Sequence, residues 1–298
     1  MKILLTGANG ILGSYLLDAF KSKAWKVGTF KRVSNHNLNF AINDIEAASK
    51  LYDVIVHAAA NTDVEACERY PEQCFKDNTF FTERLAIAAN KNKCKMIYIS
   101  STGIYGAGNP TAPYHEYDQV IPTTVHHESK WRGEEAVRTL VNNHLILRVG
   151  WLFGGQPTNA KNFVARRIEE ALDANEIKSN NTQRGVPTSA RQAAYRISEL
   201  IGRDEIGTYN LVNAGSCSRY QYVREILRIA GISTKIIPID GHKFSRLAKV
   251  SNNETAISTK LSWLGYDPLG YWSNSLEEYI NTELRDWIQC QKSQKSQF

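Results

Sequence analysis

Hydrophobic and polar positions in the first half of the chain alternate between two patterns. Short runs that are apolar throughout predict buried strands, and longer stretches with apolar residues every three or four positions predict helices. The predicted strands are residues 2–6, 25–30, 54–58, 95–100 and 145–149, and the predicted helices are residues 12–21, 75–90 and 129–141. Wholly apolar strands that alternate with helices are typical of a parallel sheet covered on both faces. We therefore predict an α/β fold of the Rossmann type, with a doubly wound parallel sheet.

The second half has a more mixed pattern. It contains predicted helices at residues 160–174, 219–230 and 275–290 and a predicted strand at residues 209–212. Clusters of Gly, Pro and Asn at 154–159 and 180–188 mark places where the chain leaves the sheet. We predict a sheet domain from residues 1–155 and roughly 186–230, and a smaller mixed C-terminal lobe from roughly 156–185 and 231–298.

Composition narrows the class of protein. The 298 residues, 42% of them hydrophobic and 22% charged, form an ordinary globular mixture, and no apolar run approaches the ~20 residues of a membrane span. The five cysteines include no CxxC pair, which is typical of reduced thiols in a cytoplasmic protein. The net charge of +6 is spread along the chain. Because nucleic-acid binding calls for a basic stripe or patch, we expect neither a nucleic acid nor a membrane as partner. A small anionic ligand, or simply a basic surface, explains the charge better.

A glycine-rich loop follows the first predicted strand and precedes the first predicted helix. Glycine at its three spaced positions allows a tight turn, a close approach of backbone N–H groups to a pyrophosphate, and close packing of helix on strand. The helix N-terminus attracts the same anion. The loop predicts binding of a dinucleotide cofactor, and a purely structural turn is the alternative. The predicted cofactor contacts in it are Gly7, Asn9, Gly10, Ile11, Leu12 and Gly13.

The residues after the second predicted strand indicate which dinucleotide binds. NAD-binding proteins place an acidic residue there, about 20 residues after the loop, and this chain has no Asp or Glu between Ala19 and Asn43. Lys31 and Arg32 follow the strand instead, and a guanidinium can hold a 2′-phosphate with two hydrogen bonds. We predict NADP(H) as the preferred cofactor and NAD(H) as the alternative. The competing interpretation is that both side chains are solvated loop charges.

A series of further motifs resembles the extended short-chain dehydrogenases/reductases, and within them the dTDP-4-dehydrorhamnose reductases. The matching segments are DVIVHAAANT at 53–62, Asn78, SSTGIYG at 100–106, PYHEYD at 113–118 followed by Pro122, SKWRGE at 129–134, NF at 162–163 and QRGVPT at 183–188. The resemblance extends over roughly residues 1–265. It implies that the smaller lobe binds a nucleotide-sugar. It also implies further cofactor contacts at Ala58, Ala59, Ala60, Thr62, Asn78 and Lys130.

The resemblance breaks at a position of the family's catalytic pair. The family's catalytic pair is Tyr-x-x-x-Lys, but four residues before Lys130 this chain has His126, 25 residues after Ser101 as the family spacing requires. The resemblance implies that Ser101 hydrogen-bonds the substrate carbonyl, that residue 126 donates the proton and that Lys130 holds the nicotinamide ribose. An imidazolium is a competent acid, although a neighbouring lysine cation disfavours it. We predict His126 as the proton donor. Tyr114, Tyr117 or a water in that role, and a site that has lost its chemistry, are the alternatives.

On the substrate side, the resemblance implies contacts from several residues. These are Ser101, Thr102, Tyr105, Trp151, Asn162 and Arg184. Thr102 stands where the rhamnose reductases have Asp, Trp151 has core packing as its alternative, and Arg184 has an exposed loop position as its alternative. The seven histidines form no metal-binding spacing such as HExxH, so we predict no metal site. The resemblance is compatible with a homodimer.

Three functions compete on this sequence. The first is NADP(H)-dependent reduction of a nucleotide-linked 4-keto-6-deoxy sugar in deoxysugar or polysaccharide biosynthesis, with a His-x-x-x-Lys centre. The second is an NADP-binding regulatory or interaction subunit without turnover. The third is nucleotide-sugar epimerisation or dehydration, which is disfavoured because Thr102-Gly103 stands where dehydratases need acid/base carboxylates. We therefore expect an enzyme, a nucleotide-sugar oxidoreductase.

The cofactor prediction leads to a first test. If Arg32 binds the 2′-phosphate, Arg32→Ala weakens NADPH binding far more than NADH binding, because only NADPH carries the phosphate. Dissociation constants for both cofactors, measured by calorimetry on the two proteins, check this. Equal losses for the two cofactors would show that Arg32 does not recognise the phosphate.

Overall fold

The computed structural model describes residues 1–30, 46, 49–109 and 111–295. Its strands, in chain order, are β1 Lys2–Thr6, β2 Lys26–Phe30, β3 Val54–His57, β4 Lys95–Ser101, β5 His144–Val149, β6 Trp151–Phe153, β7 Glu176–Asn180, β8 Arg184–Gly185, β9 Pro187–Ser189, β10 Gly207–Leu211, β11 Asn213–Ala214, β12 Cys217–Ser218, β13 Lys235–Ile239 and β14 Leu269–Tyr271. Its α-helices are α1 Ile11–Ser22, α2 Val64–Arg69, α3 Pro71–Phe75, α4 Phe81–Lys91, α5 Val125–Leu140, α6 Phe163–Asp173, α7 Ala190–Gly202, α8 Arg219–Ala230, α9 Thr259–Trp263, α10 Trp272–Tyr279 and α11 Arg285–Lys295. Two π-helical turns, Lys76–Phe80 and Ile280–Leu284, join α3 to α4 and α10 to α11, and two 3-10 turns cover Thr102–Tyr105 and Gly241–Lys243.

Six strands form one parallel sheet in the order β10-β5-β4-β3-β1-β2. The order reverses between β1 and β3, because β2 lies on one side of β1 and β3 on the other. In open α/β sheets the carboxyl ends of the strands at such a reversal form a crevice that binds ligands. The predicted doubly wound Rossmann-type sheet is confirmed, and the topology alone locates a binding crevice beyond Thr6 and His57.

Both faces of the sheet are buried, as wholly apolar strands require. Ile3 and Leu5 of β1 belong to a core with α1 and α7, whereas Leu4, between them, belongs to a second core with α4 and α5. Successive strand residues point to opposite faces, so one strand contributes to both cores. The helices lie on the two faces in the doubly wound arrangement.

A third core lies apart from the sheet. It is built from the apolar sides of α6, α8, α10 and α11, with Tyr222 and Trp272 among its buried aromatic residues. Helix α8 falls in the segment that the sequence analysis placed in the sheet domain, yet its side chains pack in this third core. Conversely, Leu261, Tyr266 and Leu269 belong to the core of the sheet. The chain therefore passes between the two packing units more often than the predicted boundaries suggest.

Element boundaries differ from the predicted ones where capping decides. Helix α5 begins at Val125 and not at residue 129, because the Thr124 hydroxyl accepts a hydrogen bond from His127 N and caps the helix. The predicted helix at 75–90 is interrupted by the first π turn, and the segment 180–188, predicted to leave the sheet, contains the short strands β8 and β9. No helix in the described part of the chain is both long enough and apolar enough to cross a membrane. All five cysteines are free thiols, four of them buried.

A buried ion pair fastens α5 to the sheet. The Glu134 carboxylate, fully buried, accepts hydrogen bonds from Arg148 Nε at 3.0 Å and from an Arg148 terminal nitrogen at 2.8 Å. Arg138 donates to the same carboxylate at 2.9 Å, and Arg148 also donates to Tyr105 Oη at 2.8 Å. Glu134 is one turn beyond Lys130 on α5, so this pair fixes the face of the helix that carries Lys130 and His126.

Removal of the Glu134 carboxylate leaves the Arg148 charge buried without its counter-ion. We expect Glu134→Gln to lower the free energy of unfolding by roughly 3–5 kcal/mol. Glu128→Gln is the matched control on the same helix, because the Glu128 partner Arg132 is exposed, and we expect a change of about 1 kcal/mol or less. Urea denaturation of the three proteins measures both. Equal effects of the two substitutions would contradict the structural role of the pair.

Candidate active site

The glycine loop fits tightly against the end of β3. Gly7 has a φ of +76°, and a Cβ there would lie 2.6 Å from Ala59 N. A Cβ at Gly13 would lie 2.0 Å from Gly7 O. Both positions therefore require glycine. Gly7 is required for its backbone conformation and for space, and Gly13 is required for space alone. Helix α1 starts directly after the loop, which directs its positive N-terminal end toward the crevice.

Above the carboxyl ends of the sheet lies a cleft of about 1120 Å³. Most of the predicted site residues line it. They are Gly7, Asn9, Gly10, Ile11, Leu12, Gly13, Ala58, Ala59, Ala60, Thr62, Ser101, His126, Lys130 and Trp151. A second cavity, of about 460 Å³, shares the glycine loop and extends toward Phe30 and Phe81 on the other side. Lys31 and Arg32, predicted to bind a 2′-phosphate, directly follow Phe30 in the sequence and lie outside the described residues.

Lys130 is buried on the wall of the cleft formed by α5. Its Nζ lies 4.1 Å from the centroid of the Tyr98 ring, a cation–π contact. Burial lowers the pKa of Lys130 to about 7, and the negative charge of Glu134 partly opposes that decrease. The side chain can therefore exist with or without its proton near neutral pH, which few lysines can.

His126 lies in the first turn of α5 and is 7% exposed. Its Nδ1 is 2.9 Å from the carbonyl oxygen of Asn61, and since a carbonyl only accepts, Nδ1 carries a hydrogen. Burial, followed by the nearby His127 and Lys130, lowers the pKa of His126 well below its usual value. The ring is therefore neutral near pH 7, with Nε2 as the nitrogen that has a free lone pair.

Ser101, at the end of β4, has its hydroxyl oriented by the backbone. Ser101 Oγ accepts a hydrogen bond from Gly103 N at 3.1 Å. The hydroxyl hydrogen is consequently available for a ligand in the cleft. His127, the neighbour of His126, also lines the cleft, with its Nδ1 3.1 Å from Thr124 Oγ1.

Five predicted site residues do not reach the cleft. They are Asn78, Thr102, Tyr105, Asn162 and Arg184. Asn78 is buried and bonded to both backbone groups of Asn61 and to Ser129 Oγ, so it supports the cleft wall from behind. Arg184 is exposed on β8. In this structure, these predicted contact residues do not line the cleft.

The remaining three of these residues have their side chains engaged in the interior. Thr102 and Tyr105 are buried in the 3-10 turn, and Tyr105 donates to Asn210 Oδ1 at 2.8 Å. Asn162 caps α6 and donates to Tyr279 Oη at 2.7 Å. These residues match the motif because their side chains support the fold. A motif match alone cannot distinguish such a structural role from contact with a ligand.

The alternative proton donors lie away from the cleft as well. Tyr114 is buried, stacks on Tyr105 with ring centroids 4.7 Å apart, and donates to Asn109 O at 2.8 Å. Tyr117 is exposed and packs beside Trp263. Neither ring lines the cleft, which leaves His126 as the candidate among these three.

Trp151 lines the cleft together with Arg219 and Glu254; we call the part of the cleft around them its second end, and the part at the glycine loop its cofactor end. The indole Nε1 donates to Glu254 Oε2 at 2.6 Å, and the Arg219 guanidinium lies over the ring, 3.4 Å from its centroid. Burial lowers the pKa of Arg219 to about 10, so the guanidinium stays charged at neutral pH. The indole is held between a cation and a carboxylate at the site boundary.

Basic side chains that the sequence analysis did not single out line this second end. They are Lys161, Arg167, Lys178, Arg219 and Arg246, and we call them the basic wall. Its members come from the loop before α6, from α6, β7 and α8, and from a later loop, so no local spacing could have revealed them. The only sequence signal was the scattered positive charge. Together they favour a ligand with an anionic part.

The cleft fits the cofactor that the fold class uses. The loop has glycine at Gly7, where a Cβ would collide with the segment directly after β3. The N-terminal end of α1 faces the loop. The lining of the cleft also includes Ser101, Lys130 and the basic wall. A helix N-terminus with free backbone N–H groups suits a pyrophosphate, and the basic wall suits a ligand with an anionic part.

Comparison with known proteins agrees with this geometry. The family described as the RmlD substrate binding domain matches residues 1–285. The spore coat polysaccharide biosynthesis protein SpsK of Bacillus subtilis is 26% identical over 285 residues, which cover 94% of this chain and 96% of that protein. A dTDP-4-dehydrorhamnose reductase of Shigella flexneri is 33% identical over 244 residues, covering 78% and 80%. The crystal structure of dTDP-4-dehydrorhamnose reductase from Bacillus anthracis in complex with NADP has a TM-score of 0.87 at 25% identity, covering 94% and 98%.

The fold and the cleft thus define an oxidoreductase of the extended short-chain dehydrogenase/reductase class, and the resemblance drawn from the motifs is confirmed. Within that class, the chain belongs to the RmlD substrate binding domain family. The expectation of an enzyme, a nucleotide-sugar oxidoreductase, is confirmed with it.

Proposed function

We propose that this chain reduces the keto group of a nucleotide-linked 4-keto-6-deoxy sugar with NADPH, using a His-x-x-x-Lys centre. The observation that carries the proposal is the convergence of Ser101, His126 and Lys130 on one cleft, between the glycine loop and the basic wall. The names of the relatives support a dTDP-linked sugar as the first substrate to test.

The cofactor end of the cleft suits NADPH. The glycine loop and the start of α1 hold the pyrophosphate through backbone N–H groups. Lys130 holds the nicotinamide ribose, and Lys31 with Arg32 binds the 2′-phosphate. The bound nicotinamide supplies the hydride. The NADP complex of the Bacillus anthracis relative supports this choice of cofactor.

Ser101 and His126 act on the sugar oxygen. The Ser101 hydroxyl, oriented by Gly103 N, donates a hydrogen bond to the carbonyl and stabilises the negative charge that develops on it. His126, whose Nδ1 is held by Asn61, takes up a proton at Nε2 from a water in the cleft and then passes that proton to the sugar oxygen. Asn61 thus fixes the orientation of the His126 ring during proton transfer.

The second end of the cleft suits the nucleotide diphosphate. Arg219 and the other residues of the basic wall supply charge-assisted hydrogen bonds to phosphate oxygens. Trp151, clamped by Arg219 and Glu254, packs against the sugar and keeps its keto carbon near Ser101. Burial of a charged carboxylate beside the indole gives the pocket an acceptor for a sugar hydroxyl.

The direct test is NADPH consumption by the purified protein with enzymatically generated dTDP-, UDP-, CDP- and GDP-4-keto-6-deoxy sugars. We expect turnover with at least one, the dTDP sugar first. His126→Phe is expected to lose roughly 10²-fold or more in kcat, the usual contribution of a positioned acid, and His126→Tyr to retain or exceed the wild-type rate. Tyr114→Phe, a buried tyrosine off the cleft, is the control and should keep its kcat.

Two outcomes contradict parts of the proposal. NADPH binding without turnover on any sugar would favour the regulatory subunit, for which the histidine substitution and its neutral state are the motivating observations. Turnover that survives His126→Phe unchanged would transfer the proton-donating role to water.

The basic wall gives a separate prediction. Arg219→Gln should raise KM for the sugar nucleotide roughly 10- to 100-fold, because a charge-assisted hydrogen bond contributes about 1.5–3 kcal/mol. KM for NADPH should stay unchanged. Arg184→Gln is the matched control, since Arg184 is exposed and off the cleft. An equal increase for both variants would refute the basic wall as the phosphate-binding element.

A further inference from the structure

Beneath the candidate active site, three helices bring two thiols and an imidazole together. Cys67 of α2, Cys74 of α3 and His126 of α5 each offer one ligand atom, and these atoms lie within 4.8 Å of one another. Both cysteines are fully buried and His126 nearly so. The cysteines are seven residues apart with a helix break between them, so only the folded chain assembles the cluster.

The donor set selects a class of cation. Two sulfur atoms and one nitrogen suit soft or borderline ions such as Zn²⁺, whereas Mg²⁺ and Ca²⁺ prefer oxygen ligands. Zinc bonds of about 2.3 Å to sulfur and 2.0–2.1 Å to nitrogen place ligand atoms roughly 3.5–3.8 Å apart in a tetrahedron. The cluster therefore has to contract by at most about 1.3 Å to bind such an ion.

The surroundings of the cluster match those of protein zinc ligands. The imidazole of His126 is held by the Asn61 carbonyl, and zinc-binding histidines are commonly oriented by a backbone carbonyl. Cys74 Sγ lies 3.5 Å from Asn78 Nδ2 and 3.3 Å from Ser129 Oγ, so polar groups surround this sulfur atom. The cluster thus has a second layer of polar groups, which a merely packed pair of cysteines does not need.

Charge balance permits the ion at this depth. Two thiolates and a neutral imidazole around Zn²⁺ carry no net charge, because the two thiol protons are released when the metal binds. Asp63 and Asp77 act electrostatically on Cys67 from one side, and Lys130 acts on Cys74 and His126 from the other. A neutral metal centre is compatible with both.

We propose that Cys67, Cys74 and His126 form a binding site for a thiophilic divalent cation, Zn²⁺, with the fourth position left to water or a ligand from the cleft. Ligation takes the His126 ring out of proton transfer, so zinc inhibits the reductase. The inhibition rests on the proposed function, whereas the binding site does not.

Binding is measured on the full chain with Co²⁺ as a spectroscopic probe and Zn²⁺ as the competitor. All proteins carry Cys290→Ser, because Cys290 is the exposed thiol. We expect one Co²⁺ per chain with thiolate-to-metal charge-transfer bands, displaced by one Zn²⁺. Cys67→Ser and Cys74→Ser should each weaken binding at least 100-fold and reduce the bands. Cys94→Ser, a buried thiol elsewhere in the fold, is the matched control and should bind like the parent.

Two results would overturn the site: a parent protein without thiolate bands at stoichiometric Co²⁺, or bands of parental strength in both Cys67→Ser and Cys74→Ser. His126→Gln covers the case in which a cysteine variant does not fold, because His126 borders the cleft. This variant should retain the thiolate bands but bind Co²⁺ more weakly than the parent. An unchanged affinity for Co²⁺ would exclude the His126 ring as a ligand. None of these measurements needs a substrate, so a failure of the proposed function leaves them readable. If turnover is found, zinc at one equivalent should abolish it in the parent and spare Cys67→Ser.

Discussion

The carboxamide of Asn78 joins the two walls of the cleft. Its oxygen accepts from Asn61 N at 2.7 Å, and its nitrogen donates to Asn61 O at 3.0 Å and to Ser129 Oγ at 2.9 Å. One side chain therefore connects the segment after β3 to helix α5, next to Lys130. A buried amide with all of its groups satisfied has few alternative arrangements. Together with the hydrogen bond between His126 Nδ1 and Asn61 O, this connection fixes the distance between the segment after β3 and helix α5.

The range of the physical constraints along the chain explains which part of the site the sequence could predict. The glycine loop is set by local sterics, because Gly7 and Gly13 have no room for a Cβ, and its role was readable from spacing alone. Ser101, His126 and Lys130 were placed by motif order, and they line one cleft. The basic wall escaped prediction because it draws on distant segments. Lys161, Lys178 and Arg246 are far apart in the chain and line one cleft only in the folded protein.

Motif matches overstated ligand contact for a physical reason. Tyr105 and Asn162 hydrogen-bond to buried polar groups and hold them in place. The fold constrains the identity of such residues as strictly as a ligand constrains the residues that bind it. The departure from the motif at His126 is different: the family motif has tyrosine there, whereas this chain has a buried imidazole with a lowered pKa. The sequence marks that difference, and its consequence depends on Asn61, Cys67 and Cys74, which no motif connects to it.

The third core is assembled from segments far apart in the chain. Helix α6 packs with α8, α10 and α11, so the wall that carries Arg167 and Arg219 acquires its final form after the parallel sheet has all of its strands. During synthesis, segments emerge in chain order and domains fold as units. A nascent chain that has emerged through β10 holds every strand of the parallel sheet but lacks Leu261, Tyr266 and Leu269, which complete the core of the sheet, and it lacks the last helices of the third core. Both packing units therefore reach their final form only when the last third of the chain has emerged.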